Sequence, residues 1–206
     1  MQKRGKFITF EGCEGAGKST QAKMLCEYLA SKGIDAVLTR EVGGTESAEK
    51  IRECWLSKKE GFWEPMTEVL LIMAARNEHI QKKILPALNE GKWVICDRFL
   101  DSTIAYQGAG LGIDIDIINK IYDIISCGLK PDLTILLDIQ VNNGLMRVSE
   151  RDGIGDRYEQ QDFEFHEILK IAYLTMAEEE PERFLVVDAA KDKEEIIKKI
   201  IERISV

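Results

Sequence analysis

Gly12-Cys13-Glu14-Gly15-Ala16-Gly17-Lys18-Ser19 is the most informative segment of this 206-residue sequence. It matches G-x-x-x-x-G-K-[ST], the pattern of a loop that wraps around phosphate groups. Glycines allow close approach to phosphate oxygens, while successive N–H groups at a helix N-terminus stabilise negative charge. In this pattern the lysine reaches the outer phosphates of a nucleotide and the hydroxyl residue binds Mg²⁺. The segment therefore predicts a nucleotide-binding loop.

The residues around this loop indicate a strand before it and a helix after it. Residues 6–10 are largely apolar, and apolar residues then recur at helical spacing from Ala22 to Leu29, before Gly33. Further apolar runs predict strands over residues 36–39, 93–97, 133–138 and 184–188. Because helical segments separate the strands, the sequence predicts an α/β fold. The expected architecture is a three-layer P-loop fold, with a five-stranded parallel sheet covered by helices on both faces.

The longest predicted helix covers residues 66–89, and Pro86 is expected to kink it or end it early. Other helices are predicted over residues 46–56, 113–126, 144–150, 163–179 and 194–203. Ligands of such sheets bind beyond the carboxyl ends of the strands, so residues that follow each strand are expected to form the site. The sequence shows no linker and no repeat, and we expect one domain over residues 1–206.

Composition narrows the class of partner. The net charge of −8 disfavours a nucleic-acid polymer, although arginines focused in a cleft still suit a small phosphorylated ligand. Five cysteines without a C-x-x-C pair resemble neither a zinc site nor a disulfide framework, and indicate a reducing compartment. The longest apolar run, residues 69–75, is too short to span a bilayer, and no apolar segment follows the basic N-terminus. We therefore expect a cytoplasmic protein without a membrane segment.

Several classes of protein share a phosphate loop. A GTPase would need Asn-Lys-x-Asp after a later strand, and the nearest string, residues 119–122, has Tyr122 in place of the aspartate. At the end of the predicted strand 93–97, Asp97 suits the water shell of a metal ion, and Arg98 offers a cation for an acceptor phosphate. These residues favour a phosphotransferase over a GTPase switch.

Arginines support the same interpretation, because phosphoryl transfer depends on positioned cations and exclusion of water. Arg40, Arg76 and Arg98 lie on or after predicted elements. A second group, Arg147, Arg151 and Arg157, surrounds a glycine-containing loop, so residues 147–158 are expected to form a mobile lid. Their spacing alone is equally compatible with a solvated helix face.

Several ordered motifs resemble those of the bacterial thymidylate kinases, from Phe7 to about Asp188. They are Phe10-Glu11-Gly12 with the loop through Thr20, Thr39-Arg40-Glu41-Val42-Gly43-Gly44-Thr45, Asp97-Arg98-Phe99, Ala105-Tyr106-Gln107-Gly108 and Asp156-Arg157-Tyr158-Glu159. The resemblance implies a nucleoside monophosphate kinase that uses ATP and Mg²⁺ to phosphorylate dTMP to dTDP for dTTP synthesis. It also implies a homodimer with small nucleotides as ligands.

The resemblance implies roles for individual residues. ATP would bind Gly12, Cys13, Glu14, Gly15, Ala16, Gly17, Lys18, Ser19 and Thr20, with Mg²⁺ near Ser19 and Asp97. The catalytic candidates are Lys18, Arg98, Arg147, Arg151 and Arg157. The acceptor dTMP would contact Glu14, Arg40, Arg52, Ile72, Arg76, Arg98, Ser102, Thr103, Tyr106, Gln107 and Tyr173. Within that set, Arg40, Arg52 and Arg98 would approach the phosphate. Arg76 and Thr103 would read the pyrimidine edge, and Tyr106 would pack under the deoxyribose.

The sequence departs from the family pattern at two informative positions. Val42 stands where the family has proline, which puts the usual turn geometry in doubt. Ile72 stands where a phenylalanine stacks on thymine, so we expect acceptor binding weaker by up to about tenfold. Trp55 and Trp63 are expected to cover core or a subunit contact. A kinase for another nucleotide, such as dUMP, and a nucleotide-binding module without turnover remain alternatives.

Overall fold

The structure, a computed structural model, describes residues 4–56, 62–150, 158 and 161–204. Its centre is one sheet of five strands: β1 (Phe7–Glu11), β2 (Ala36–Arg40), β3 (Trp93–Asp97), β4 (Leu133–Asp138) and β5 (Phe184–Asp188). The strands are all parallel, in the order β2-β3-β1-β4-β5. Because β1 is the central strand, the loop that follows it lies in the middle of the carboxyl edge. The predicted α/β fold is confirmed.

Nine α-helices lie in the described part of the chain. They are α1 (Lys18–Ser31), α2 (Glu46–Leu56), α3 (Pro65–His79), α4 (Leu85–Asn89), α5 (Leu100–Thr103), α6 (Ile115–Ser126), α7 (Val141–Ser149), α8 (Phe163–Glu179) and α9 (Lys193–Ile204). Two π-helical segments, Ile80–Ile84 and Ile104–Gly110, continue α3 and α5. Within these residues, no helix combines the length and apolar character needed to cross a bilayer.

The two faces of the sheet bury separate sets of apolar side chains, because successive strand residues point to opposite faces. Ile8 and Phe10 pack in a cluster with Leu25 of α1 and Ile200 of α9. Phe7 lies in the other cluster, with residues of α3, α4 and α6. Helices therefore cover both faces, as predicted from the alternation of strands and helices.

Pro86 was expected to kink the long helix or to end it early, and the early end does not occur. Helical backbone continues to Asn89 through the π-helical segment Ile80–Ile84. There the Leu85 N–H donates to the Ile80 carbonyl, five residues back. Pro86 thus lies in the first turn of α4, where a missing N–H interrupts least.

Candidate active site

The phosphate loop leaves β1 and enters α1 through close backbone contacts that only glycine permits. Gly12 has φ 131°, and a Cβ there would lie 2.5 Å from the Leu137 carbonyl oxygen. Gly15 has φ 71°, and its Cβ would lie 2.1 Å from the carbonyl oxygen of Gly144 in α7. The loop is therefore fixed between β4 and α7, with the N-terminus of α1 behind it.

Lys18 and Ser19 begin α1, facing the carboxyl end of β3. The buried Lys18 Nζ donates to the carbonyl oxygens of Gly12 (2.9 Å) and Cys13 (2.8 Å). Burial, and then the charge of Arg98, lower the pKa of Lys18. The Ser19 hydroxyl donates to Asp97 Oδ2. Asp97 lies within reach because it pairs with Phe10 across β1 and β3, next to the start of the phosphate loop. The Ser19 and Asp97 oxygens are hard donors of the kind that Mg²⁺ binds together with substrate phosphates.

Among the predicted site residues that the structure describes, Arg98 makes the largest set of hydrogen bonds. It has φ 68°, unusual for a residue with a side chain, and its N–H donates to the Phe10 carbonyl at 2.9 Å. Its guanidinium donates to Glu14, Tyr106, Ser102, Tyr173 and the Gly12 carbonyl, at 2.7, 3.1, 3.1, 3.3 and 3.3 Å. This arrangement brings residues from the loop, α5 and α8 to one point.

Glu14 is the anionic partner in this cluster. Its Oε1 accepts hydrogen bonds from Arg98 and from the Tyr106 hydroxyl, the latter at 2.6 Å. Burial alone raises the pKa of Glu14, but the charges of Arg98 and Lys18 bring it down to about 2. The carboxylate is therefore ionised at neutral pH, and Tyr106 is held by both Glu14 and Arg98.

A cavity of about 100 Å³ opens beside this cluster. Its lining includes Glu14, Glu41, Val42, Arg52, Trp55, Leu56, Ile72, Arg76, Arg98, Phe99, Ser102, Thr103, Tyr106, Gln107 and Tyr158. A polar cleft of about 470 Å³ shares four of these residues, Glu14, Glu41, Arg52 and Arg98, and continues to the phosphate loop and Asp97. The cavity and the phosphate loop thus open onto one cleft.

Most of the predicted acceptor residues line this cavity, and Tyr173 reaches it through Arg98. Trp55 was expected to cover core or a subunit contact, and it is buried in an apolar core cluster. It also lines the cavity, with its ring centroid 5.9 Å from that of Tyr158. Glu41 also lines it and was assigned no role from the sequence. Glu41 belongs to the family motif of residues 39–45, but the motif alone indicated no role for this residue.

Arg76 lies at the end of the cavity in a buried polar network. Its Nε donates to Glu41 Oε2 at 2.6 Å, and its Nη2 donates to Thr103 Oγ1 at 2.9 Å and to the Phe99 carbonyl at 3.0 Å. His79 holds the other Glu41 oxygen at 2.9 Å. The two residues predicted to read a pyrimidine edge are therefore joined directly.

Two further arginines lie on the side of β2 and α2. Arg40 is 57% exposed and pairs with Glu49 at 3.1 Å. Arg52 Nη1 donates to the Val42 carbonyl at 2.6 Å, and the peptide bond between Glu41 and Val42 is cis. Both arginines line the polar cleft, which Arg98 also lines.

The predicted lid lies largely outside the described residues, and with it Arg151 and Arg157. Arg147 is described, and its Nη1 donates to the carbonyl oxygens of Ala189 (3.0 Å) and Gly15 (3.5 Å). Tyr158 accepts a hydrogen bond from Gln107 Nε2 at 2.9 Å and donates to Glu68. Arg147, at one end of the predicted lid, thus contacts the phosphate loop, and Tyr158, at the other end, lines the cavity.

Comparison with known proteins agrees with this geometry. The family model described as thymidylate kinase matches residues 10–200. A thymidylate kinase from Bradyrhizobium sp. (strain ORS 278) is 47% identical over 195 residues, covering 94% of this chain and 86% of the relative. One from Vesicomyosocius okutanii subsp. Calyptogena okutanii is 46% identical over 197 residues, 96% of each chain. The crystal structure of thymidylate kinase from Ehrlichia chaffeensis superposes with a TM-score of 0.80 at 35% identity, covering 98% of this chain and 99% of that one.

A central phosphate loop on a five-stranded parallel sheet, open to a cavity ringed by arginines, defines a P-loop phosphotransferase of the nucleoside monophosphate kinase class. The matches cover nearly the whole chain. The chain belongs to the thymidylate kinase family. The family resemblance, the fold and the enzyme class predicted from the sequence are confirmed.

Proposed function

We propose that this protein transfers the γ-phosphate of ATP to dTMP, giving dTDP and ADP in the supply of dTTP. One observation supports this most directly. Lys18 Nζ and Arg98 Nη1 both donate to the carbonyl oxygen of Gly12, at 2.9 and 3.3 Å. A cation of the phosphate loop and a cation of the cavity wall therefore share one contact atom. A phosphoryl group in transfer carries negative charge that cations so arranged stabilise.

In this proposal the loop from Gly12 to Thr20 cradles the ATP phosphates through its N–H groups. Arg98 holds the acceptor phosphate together with Arg40 and Arg52. Arg147, Arg151 and Arg157 add positive charge in the transition state. The acceptor phosphate is already anionic, so the reaction needs no general base.

The same proposal assigns the nucleoside part of dTMP to the cavity. Tyr106 packs against the deoxyribose, and the ionised Glu14 accepts a hydrogen bond from the 3′-hydroxyl. Ser102, Gln107 and Tyr173 complete that wall. Arg76 and Thr103 face the pyrimidine edge, with Ile72 against the ring. The apolar and polar lining of the cavity fits a base with one hydrogen-bonding edge.

We also propose Mg²⁺ as the cofactor, held by the Ser19 hydroxyl and the Asp97 carboxylate. Contact between these two oxygen donors supports the assignment. The bound ion would neutralise charge on the β- and γ-phosphates.

We further propose a homodimer in the cytoplasm. Leu70 of α3 and Ile124 of α6 are large apolar side chains, 53% and 82% exposed, on two helices that pack together. Exposed apolar surface of this kind favours association. The cysteines are free in the described structure, which suits a reducing compartment.

The direct test is to incubate the protein with ATP, Mg²⁺ and dTMP and to separate the products by chromatography. The proposal predicts dTDP and ADP in equal amounts. Lys18→Ala is the control, and should abolish both products while thermal unfolding shows an intact fold. ADP without dTDP would identify an ATPase, and absence of both from the wild type would leave only nucleotide binding.

A further inference from the structure

Arg76 is held by three different parts of the chain, and these contacts leave little freedom to its guanidinium. Nε donates to Glu41, and both Nη2 hydrogens are used by Thr103 and the Phe99 carbonyl. Nη1 makes a weak contact with Met73 Sδ at 3.4 Å. Among the described residues, one Nη1 hydrogen therefore remains for a ligand in the cavity that Arg76 lines.

Glu41 is the single carboxylate that contacts Arg76 within the described residues, and it is itself fixed. Its side chain is 2% exposed, against 1% for Arg76. Burial alone raises the pKa of Glu41, but Arg76 and His79 lower it below its usual range, so it is ionised beside Arg76. A buried and charge-assisted pair of this kind is strong and directional.

His79 locks the second oxygen of that carboxylate. It is fully buried, with Nδ1 2.9 Å from Glu41 Oε1 and Nε2 2.7 Å from Thr39 Oγ1. Gly44 covers the ring so closely that a Cβ there would lie 2.4 Å from His79 Nε2. Glu41 consequently has one orientation, set by β2 and α3 together.

We propose that Glu41, locked by His79, is the positioning residue that determines base specificity, because it aims the remaining Nη1 hydrogen of Arg76 at a carbonyl oxygen on the acceptor base. The proposal rests on the proposed function. A fixed N–H donor favours thymine, whose 4-carbonyl accepts a hydrogen bond. It disfavours cytosine, whose 4-amino group is itself a donor and cannot accept one from Arg76. Glu41 acts through Arg76 and not by contact with the phosphate that is transferred.

The central experiment compares dTMP and dCMP as acceptors for the wild type and Glu41→Gln. The variant should raise the KM for dTMP at least about tenfold, the effect of weakening one hydrogen bond to a charged group. The kcat for dTMP and the KM for ATP should stay within about threefold, and kcat/KM for dCMP should change little. The preference for dTMP over dCMP then falls by about the same tenfold factor.

Tyr122→Phe is the matched control. The buried Tyr122 hydroxyl of α6 donates to the Leu129 carbonyl at 2.6 Å, and Tyr122 does not line the cavity. This variant should lower the melting temperature because it removes a buried hydrogen bond, yet keep the wild-type preference for dTMP. An unchanged preference in Glu41→Gln, or an equal loss of preference in Tyr122→Phe, would overturn the proposal.

A double-mutant cycle separates positioning from an independent role. In an Arg76→Gln background, Glu41→Gln should raise the KM for dTMP no further, because the residue through which it acts is gone. Additive effects would contradict the proposal. If Glu41→Gln is too unstable to assay, His79→Gln keeps the ion pair but releases the carboxylate. It should still lower the preference for dTMP, and an unchanged preference would overturn the inference.

The outcome for the wild type distinguishes this inference from the proposed function. A wild type that turns over no acceptor contradicts the function itself. A wild type that prefers dTMP, with a Glu41→Gln variant that keeps the same preference, contradicts only the positioning role.

Discussion

At the scale of single residues, the site is organised by a few buried charges with fixed partners. Arg98 contacts the phosphate loop, α5 and α8 from a backbone conformation with φ 68°. Arg76, which also lines the cavity, contacts Glu41, the Phe99 carbonyl and Thr103. Each guanidinium has a carboxylate partner, Glu14 or Glu41, so neither charge is buried alone. Such pairing fixes the direction in which each arginine donates.

Ile72 carries the first prediction at this scale. It is 2% exposed and lines the cavity. The family resemblance implies a phenylalanine at this position. Because an aromatic ring would stack on the base, Ile72→Phe should lower the KM for dTMP by up to about tenfold, with kcat little changed. Steady-state kinetics with varied dTMP measures this. An unchanged or higher KM would show that aromatic stacking is not what limits acceptor binding here.

At the scale of secondary-structure elements, one ion pair connects three of them. Arg183, just before β5, donates to Asp101 of α5 at 2.8 and 2.9 Å, and to Thr134 of β4 at 2.8 Å. Asp101 precedes Ser102, which holds Arg98. The pair therefore anchors the helix that carries part of the acceptor cavity.

Removing one partner of that pair tests its structural importance. Asp101→Ala leaves the Arg183 charge mostly buried, so the free energy of unfolding should fall by about 3 kcal/mol. Urea denaturation followed by tryptophan fluorescence measures the change. Asp101→Leu combined with Arg183→Met removes both charges and should recover part of the loss. A single variant as stable as the wild type would show that Glu180 alone suffices for Arg183.

Secondary-structure elements with a clear hydrophobic pattern could be predicted from the sequence, whereas irregular elements could not. Strands such as Leu133–Asp138 were predictable because they are almost wholly apolar. The helical segment from Leu100 to Gly110 was not predicted, since its π-helical part contains Gly108 and Gly110 and lacks a 3.6-residue period. Motifs identified most of the site residues, but Trp55 and Glu41 acquire their positions only when α2 and β2 pack beside α3.

At the scale of the whole molecule, the sheet lies between two layers of helices that each bury a separate apolar cluster. Glu11, the last residue of the central strand β1, is fully buried between these layers. Burial and then the charge of Asp101 raise its pKa from 4.5 to about 7. The folded protein therefore keeps a proton on Glu11 that the unfolded chain releases near pH 4.5.

This difference predicts how stability depends on pH. Between the two pKa values the folded state binds more protons, so the Glu11 contribution to the free energy of unfolding decreases as pH rises. Relative to Glu11→Gln, the wild type should lose about 2–3 kcal/mol between pH 5 and pH 8. Urea denaturation of both proteins measures it. A difference in unfolding free energy between the two proteins that stays constant across this range would contradict a buried, neutral Glu11.

We also propose that the chain forms a single domain, which predicts one cooperative unfolding transition.

Association is the second prediction at this scale. The proposed homodimer should sediment with twice the chain mass of 23.4 kDa. Ile124→Glu places a charge on a side chain that is 82% exposed, and should shift the protein toward monomer without loss of helix content by circular dichroism. A wild-type monomer at micromolar concentration would contradict the dimer, and an unchanged dimer in the variant would move the interface away from α6.

The central claim, that the cavity selects dTMP, is tested most directly by kcat/KM for a series of acceptors in a coupled ADP-release assay. The series is dTMP, dUMP, UMP, dCMP, dAMP and dGMP, each with saturating ATP and Mg²⁺. The structure and the family membership predict the highest value for dTMP. A higher value for dUMP or another acceptor would keep the fold and the transfer chemistry but contradict the assignment of the cavity to thymine. No turnover with any acceptor would contradict the proposed function as a whole.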